Sequence, residues 1–239
     1  LRLGQLVTCN VYRQPSLLAK MASTVDALSN GRLEFGIGAG WYEAEFQGYG
    51  YGFPSNAARV RMLDEAVTVI KRLWTEDNVN FEGRYYRLKN AFCDPKPIQK
   101  PYPPILIGGA GEKLTLAVVA KHADRCELGS GAERYNHKLD VLRAHCQRVG
   151  RRFEEIERCV SVNVIIEEEE KSVHKTLNRL YEFYREPGQS KENFLKSLEW
   201  VTAGTPSSVL EQLLKYRRLG VTYFIVNFML HFYAERPDE

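Results

Sequence analysis

The chain has 239 residues, of which 44% are hydrophobic and 26% charged, enough for one large domain with a substantial buried core. Its 33 basic and 30 acidic residues are interspersed and give a net charge of +3. A nucleic-acid-binding protein would show a basic stripe, and a membrane-spanning helix needs an apolar run of ~18 residues. Neither pattern occurs, so we expect no nucleic-acid and no membrane partner.

The cysteines and histidines predict neither disulfides nor a metal site. Five cysteines are widely spaced, odd in number and without a C-x-x-C pair, and the five histidines lack metal-ligand spacing. The first ten residues show none of the features of a signal peptide. These patterns are typical of reduced thiols in the cytoplasm. The cysteines are Cys9, Cys93, Cys126, Cys146 and Cys159.

The first part of the chain predicts a strand at residues 3–8, a helix from Pro15 to Asn30-Gly31, and a strand from 33 to 37. Apolar residues of that helix recur at helical spacing: Leu17, Leu18, Met21, Val25 and Leu28. A long amphipathic helix follows, with a buried stripe at Val60, Leu63, Val67, Ile70 and Trp74. A hairpin with strands at 79–81 and 85–87, and a proline-rich connector, form an insertion at about 78–104.

From residue 105 onward, short apolar strands alternate with helices. We predict strands at 105–107, 125–128, 160–166 and 221–228, with Thr205 as N-cap of the last helix. Such alternation indicates parallel pairing through crossover connections. The six predicted strands fit an incomplete (β/α)₈ TIM-barrel type fold in a single domain over 1–239, because a closed barrel has eight. An open doubly wound sheet fits the same count.

Three glycine-rich segments follow predicted strands. The sequence GIGAGW at 36–41 only partly resembles a dinucleotide-binding fingerprint, because Trp41 stands where the third glycine belongs. A tight turn at a barrel rim is the alternative. The sequence GGAGEK at 108–113 lies between a strand and a helix, where backbone N–H groups can bind a phosphate ester or simply turn the chain. Gly129-Ser130-Gly131 repeats this arrangement.

Three runs of the sequence resemble the luciferase-like monooxygenase family, particularly its coenzyme F420-dependent oxidoreductase branch. They begin at LGQLVTCNVYRQPSLLAK, RYYRLKNAFCDPKPIQ and AGTPSSVLEQLLKY, and together they cover more than half of the chain in the family's order. The resemblance implies an eight-stranded barrel, although the two βα units that normally precede the first strand here are absent from this sequence. It also implies a bulge with a non-prolyl cis peptide at Leu6-Val7, behind the cofactor's central ring.

The resemblance further implies which residues hold the cofactor, by lining its ring or its phosphate-bearing tail. These cofactor-binding residues are Leu6, Val7, Thr8, Gly38, Ala39, Gly40, Gly108, Gly109, Ala110, Gly111 and Glu112. As catalytic residues we expect Trp41 to pack against the ring or substrate, and Tyr42 and Glu43 to donate protons, although all three could simply begin a helix at the rim.

The function that this resemblance implies is hydride transfer between reduced coenzyme F420 and a small organic substrate. The alternatives are an FMN-dependent monooxygenase and a flavin-binding barrel without turnover. The expected partner is a small-molecule substrate, and a homodimer is compatible with the resemblance.

Overall fold

A computed structural model of the chain describes residues 1–129, 131–198 and 201–228. The chain divides into two compact units, the first comprising Leu1–Glu127 with Asp140–Ile156, and the second Leu128–Leu139 with the chain from Glu157 onward. Within the described ranges, no helix is both long and apolar enough to cross a membrane.

The first unit contains a parallel sheet and an antiparallel hairpin. Its strands are β1 (Leu3–Gly4), β2 (Thr8–Cys9), β3 (Leu33–Gly38), β4 (Val79–Glu82), β5 (Arg87–Ala91), β6 (Ile105–Gly108) and β7 (Arg125–Glu127). Its helices are α1 (Pro15–Leu28), α2 (Glu43–Gly48), α3 (Asn56–Thr75) and α4 (Thr115–His122), and it shares α5 (Ala132–Arg148) with the second unit. β1 and β2 both pair with one side of β3, β6 pairs with its other side, and β7 pairs with β6, all in parallel.

One face of β3 is packed against helices. The ring of Phe35 meets that of Trp74 on α3 edge-on, with centroids 5.1 Å apart, and the indole N–H of Trp74 donates a hydrogen bond to the carbonyl of Ala19 at 3.0 Å. Because side chains alternate along a strand, Gly36 and Gly38 lie on the opposite face of β3. The sequence alternation therefore separates a helix-covered face from a face on which Gly36 and Gly38 carry no side chain.

The predicted first strand is interrupted by a bulge. In β1 the pairing joins Gly4 to Glu34, whereas in β2 it joins Thr8 to Ile37. Four steps along the first segment thus oppose three steps along β3, which leaves one extra residue between Gly4 and Thr8. Such an extra residue is the definition of a β-bulge. The bulge implied by the family resemblance is confirmed.

Helix α1 buries only part of its apolar surface. Of the five apolar residues at helical spacing, Leu18 is buried, whereas Leu17, Met21, Val25 and Leu28 are exposed. The buried face consists of Leu18 and of small residues, Ala19 and Ala22 among them, which let α1 approach α3 closely.

The inserted hairpin forms as predicted, but its second strand begins later, at Arg87. The predicted bounds of the return strand, 85–87, were therefore wrong, since of these residues only Arg87 belongs to β5. The carboxylate of Glu65 accepts hydrogen bonds from the backbone N–H groups of Arg84, Tyr85 and Tyr86 at 2.9, 2.8 and 3.2 Å. These hydrogen bonds hold the three residues in the turn, so the second strand begins only at Arg87.

The second unit is built on a long central strand. It contains β8 (Glu157–Ile166), β9 (Val201–Gly204) and β10 (Tyr223–Asn227), with helices α6 (Glu170–Tyr184), α7 (Lys191–Ser197) and α8 (Pro206–Arg218). β8 pairs in parallel with both β9 and β10. β9 was not predicted from the sequence. Thr205 is the N-cap residue of α8 as expected, although its hydroxyl lies 3.2 Å from the Ser207 hydroxyl and makes no capping hydrogen bond.

Candidate functional site

The carboxyl ends of four parallel strands meet in one row in the first unit. Cys9 at the end of β2 pairs with Gly38 of β3, Gly38 pairs with Gly108 of β6, and Gly108 pairs with Glu127 of β7. In barrels of this type, ligands bind where parallel strands end. The strand register therefore brings the predicted segments around Thr8, Gly38 and Gly108 together.

The bulge lies directly beside this row. The Leu6-Val7 peptide bond is cis, as the family resemblance implied. The side chain of Val7 is turned toward the sheet, where its methyl groups lie over Gly36, Gly38 and Gly108. Gly36 was not among the predicted site residues, although its spacing of two residues from Gly38 is the signal that places both on one face.

The segment after β3 makes close contacts that only glycine allows. Gly40 has a φ of +79°, and a Cβ there would lie 2.6 Å from Cys9 Sγ and 2.8 Å from the ring of Phe46. The guanidinium of Arg59 donates a hydrogen bond to the carbonyl of Gly40 at 3.1 Å. Gly40 thus lets the segment between β3 and α2 pack against Cys9 and Phe46, and both interpretations of GIGAGW stay predictions.

The segment from Gly108 to Glu112 is held by hydrogen bonds to β7 and α5. The N–H of Gly109 donates to the carbonyl of Glu127 at 3.1 Å, and His145 Nε2 lies 2.7 Å from the carbonyl of Glu112. A Cβ on Gly111 would come 2.8 Å from the hydroxyl of Thr115, the first residue of α4. The segment leads from a strand into a helix N-terminus, the arrangement that the sequence predicted.

The three predicted catalytic residues lie at the start of α2, and all are exposed. Trp41 is 82% exposed and Tyr42 54%, with their ring centroids 5.4 Å apart. The Glu43 carboxylate accepts a hydrogen bond from the amide of Gln47 at 3.1 Å. These side chains are accessible to a ligand, and their catalytic roles stay a prediction.

Sequence reasoning missed a tyrosine–glutamate pair behind α2. The phenol of Tyr12 donates a hydrogen bond to Glu45 at 2.7 Å, and its ring is stacked on that of Tyr51 at 4.7 Å. Burial and the hydrogen bond to the Glu45 carboxylate raise the pKa of Tyr12 well above its ordinary value. Tyr12 therefore keeps its proton. The alternating glycines and aromatics at 48–53 were the available signal for an aromatic contact here.

Asn10 carries a buried side-chain oxygen at the end of β2. Its amide nitrogen lies 3.3 Å from the phenol of Tyr86, while among the described residues its Oδ1 has no hydrogen-bond partner. Buried polar atoms are almost always paired. This acceptor thus suits a donor group of a water or ligand.

Of the third glycine-rich segment, Ser130 lies outside the described residues. Gly129 and Gly131 both have positive φ, and the N–H of Gly131 donates to the phenol of Tyr216 at 2.7 Å.

Comparisons with known proteins place the chain in a family. The family model described as "Luciferase-like monooxygenase" matches residues 1–223. A curated relative, the FMNH(2)-dependent dimethylsulfone monooxygenase of Pseudomonas putida, is 26% identical over 92% of this chain and 67% of its own length. The F420-dependent glucose-6-phosphate dehydrogenase of Amycolatopsis mediterranei (strain U-32) is 26% identical over 94% of this chain and 72% of its own length.

A solved structure shows the same fold. The F420-dependent secondary alcohol dehydrogenase in complex with an F420-acetone adduct has a TM-score of 0.77 at 18% identity, covering 98% of this chain and 78% of its own. The fold is therefore an incomplete (β/α)₈ barrel, as predicted, and the open doubly wound sheet is excluded. With a family model matching nearly its whole length, the chain belongs to the luciferase-like monooxygenase family.

Proposed function

We propose that this oxidoreductase transfers a hydride between reduced coenzyme F420 and a small organic substrate, with the cofactor bound at the row of strand ends formed by Cys9, Gly38, Gly108 and Glu127. That row, with the bulge beside it, is the observation that carries the proposal. The cofactor supplies the two-electron chemistry, and the protein binds and orients it. The relatives with F420-dependent dehydrogenase names support this choice.

The residues present fit a flat tricyclic group. Val7 covers Gly36, Gly38 and Gly108, so the surface beside these strand ends is that of residues 6–7, against which the ring would lie. A planar ring system requires such a smooth apolar surface together with a few polar partners.

The cofactor's phosphate is proposed to bind at residues 108–112, before α4. F420 and FMN both carry a phosphate ester, and a helix N-terminus favours negative charge. The test compares Gly111→Glu with Gly111→Gln, because both add the same bulk against Thr115 and only one adds charge. We expect the glutamate variant to bind cofactor about tenfold more weakly or worse, from repulsion between like charges. Equal affinities would remove the phosphate from this segment.

On the substrate side, Trp41 and Tyr42 would cover the reacting atoms and exclude water, with Tyr42 or Glu43 donating a proton. Their exposure leaves them free to contact a substrate. A Glu43→Gln variant with unchanged cofactor affinity and a slower turnover would support the proton-donor role.

An FMN-dependent monooxygenase is the second candidate. The Pseudomonas putida relative with that activity in its name is as similar as the F420-dependent one, at 26% identity. Both cofactors are flat, so the surface at residues 6–7 does not discriminate between them. A flavin-binding barrel without turnover is the third reading and predicts binding without oxidation of any acceptor.

The deciding experiment is a fluorescence titration of the purified chain with F420 and, separately, with FMN. Binding of F420 but not FMN supports the proposal, and the reverse supports the monooxygenase. Single-turnover oxidation of the bound reduced cofactor, with and without dioxygen, then separates hydride transfer from oxygenation and from a barrel without turnover. Binding of neither cofactor by folded protein would refute both enzymatic proposals for this chain.

A further inference from the structure

Three glycines form a depression in the face of the sheet opposite to that on which Phe35 packs against Trp74. Gly36 and Gly38 are two residues apart on β3 and therefore point to the same side. Gly38 pairs directly with Gly108 on β6, so the three positions adjoin one another. On the other face, Phe35 packs against Trp74. No side chain rises from the sheet at these three positions.

The side chain of Val7 occupies this depression. A Cβ added to Gly36 or Gly38 would lie 2.9 Å from a methyl group of Val7, and one added to Gly108 would lie 3.2 Å from both methyl groups. Real Cβ atoms essentially never approach closer than 3.0 Å, so Val7 excludes a side chain at Gly36 or Gly38, whereas at Gly108 Val7 would have to shift by a few tenths of an ångström. Valine is β-branched and has few rotamers with which to move aside.

We infer that Gly36, Gly38 and Gly108 form a socket for Val7, and that this socket sets how far residues 6–7 stand above the sheet. The inference rests on the proposed function, in which the cofactor's ring lies against residues 6–7. It changes the role of Gly38 and Gly108. They act as positioning residues through Val7, and the surface presented to the ring is that of the bulge.

The backbone of the bulge is held by the same geometry. A Cβ on Gly36 would lie 2.5 Å from the carbonyl oxygen of Gln5, so glycine also lets the main chain approach β3. The extra residue between Gly4 and Thr8 must be accommodated above the sheet. Because both Val7 and the carbonyl of Gln5 lie close against β3, the distance between the bulge and the sheet is fixed.

The test is a double-mutant cycle between Val7 and Gly108. Gly108→Ala is chosen because its 3.2 Å contacts require Val7 to move by only a few tenths of an ångström. Fluorescence titration with F420 and with FMN gives the affinity, and the absorption maximum of the bound cofactor reports the ring environment. We expect Gly108→Ala to weaken binding about tenfold and to shift the maximum, because extra methyl groups displace packed neighbours.

The same substitution made in a Val7→Ala background is expected to leave affinity and spectrum as in Val7→Ala alone, because the new methyl group enters the vacated space. Non-additivity of this kind marks residues in contact. Gly52→Ala is the matched control, since a Cβ there meets nothing within 4 Å. It should bind as the wild type does.

Two results would overturn the inference. An equal loss of affinity in both backgrounds would mean that Gly108 touches the cofactor itself, and no loss in either would mean that the height of Val7 does not matter. If the wild type binds neither cofactor, the proposed function fails and the positioning role fails with it. The melting temperatures of the four proteins would still show separately whether Val7 and Gly108 are packed together.

Discussion

A buried histidine, a lysine and an aspartate join α3 to α4. Asp64 Oδ1 lies 2.6 Å from His122 Nε2 and 2.9 Å from Lys121 Nζ. The hydrogen bond from His122, and then that from Lys121, lower the pKa of Asp64 to about 2, against the opposing effect of burial. Burial lowers the pKa of His122, so its ring stays neutral at pH 7 and donates its N–H.

Since the folded-state pKa of Asp64 lies below its ordinary value of 3.8, its contribution to stability is complete above that pH and is lost as the pH falls toward 2. The lowered pKa of His122 acts in the same direction below pH 6.5. We expect Asp64→Asn to lower stability at pH 6 by about 1 kcal/mol and to flatten the acid limb of the stability curve.

Thermal unfolding between pH 3 and 7 measures both effects. Asp140→Asn is the control, because it removes an exposed pair with Arg143 within α5, and such pairs contribute little. An acid limb for Asp64→Asn parallel to that of the wild type would show that the pair with His122 is not the source of the pH dependence.

Tyr12, which follows β2, is connected to α2 by its hydrogen bond to Glu45. Tyr12→Phe keeps the ring contacts with Tyr51 and Phe46 and removes only the hydrogen bond to Glu45. We expect amide hydrogen exchange in Glu43–Gly48 to become about fivefold faster, which corresponds to a loss of about 1 kcal/mol. Tyr49→Phe, an exposed tyrosine of the same segment, should leave the exchange unchanged. Equal exchange in both variants would place the restraint on α2 in the aromatic stacking alone.

At the scale of elements, α1 offers two neighbouring leucines in opposite environments. Leu18 is 4% exposed and Leu17 is 53% exposed, although they adjoin in the same apolar pattern. We expect Leu18→Ala to lower the free energy of unfolding by about 2–4 kcal/mol through the cavity it leaves. Leu17→Ala should change it by less than about 0.5 kcal/mol. Urea unfolding compares the two, and similar losses would mean that another surface covers Leu17 in solution.

The alternation of strands and helices was readable from the sequence because buried parallel strands are short, apolar and bounded by turn residues. The bulge was readable only through the family resemblance, since no local pattern marks an extra residue. β9 was not predicted because Val201–Gly204 has one large apolar side chain in four residues and so lacks the apolar pattern of a buried strand.

The candidate site likewise has some features that the sequence predicts and others that it does not. Glycines at Gly38 and Gly108 could be found because they follow predicted strands, and parallel strands end together. Their contact with Val7 could not be predicted, because a contact between residues 7 and 108 depends on strand register. The pairing of Tyr12 with Glu45 spans 33 residues and follows from the path of the chain after β3, which no periodicity records.

At the scale of the whole molecule, the outer stripe of α1 adds to an apolar surface beside β1. A pocket of about 380 Å³ lies there, lined by residues that include Leu3, Met21, Val25 and Phe35. Contiguous apolar patches of this kind bind hydrophobic dyes and promote association. We expect the purified chain to enhance the fluorescence of an anilinonaphthalene dye, and the apparent molar mass from its light scattering to rise with concentration.

The double variant Met21→Glu with Val25→Lys should reduce both signals severalfold without lowering the melting temperature, because the new side chains are exposed and form a favourable pair four residues apart. Val149→Lys is the control, an exposed apolar residue just beyond α5 and away from this surface. Its dye binding should equal that of the wild type. A double variant that kept full dye binding would show that the dye reports another surface, and one that lost melting temperature would show that Met21 and Val25 are covered in solution.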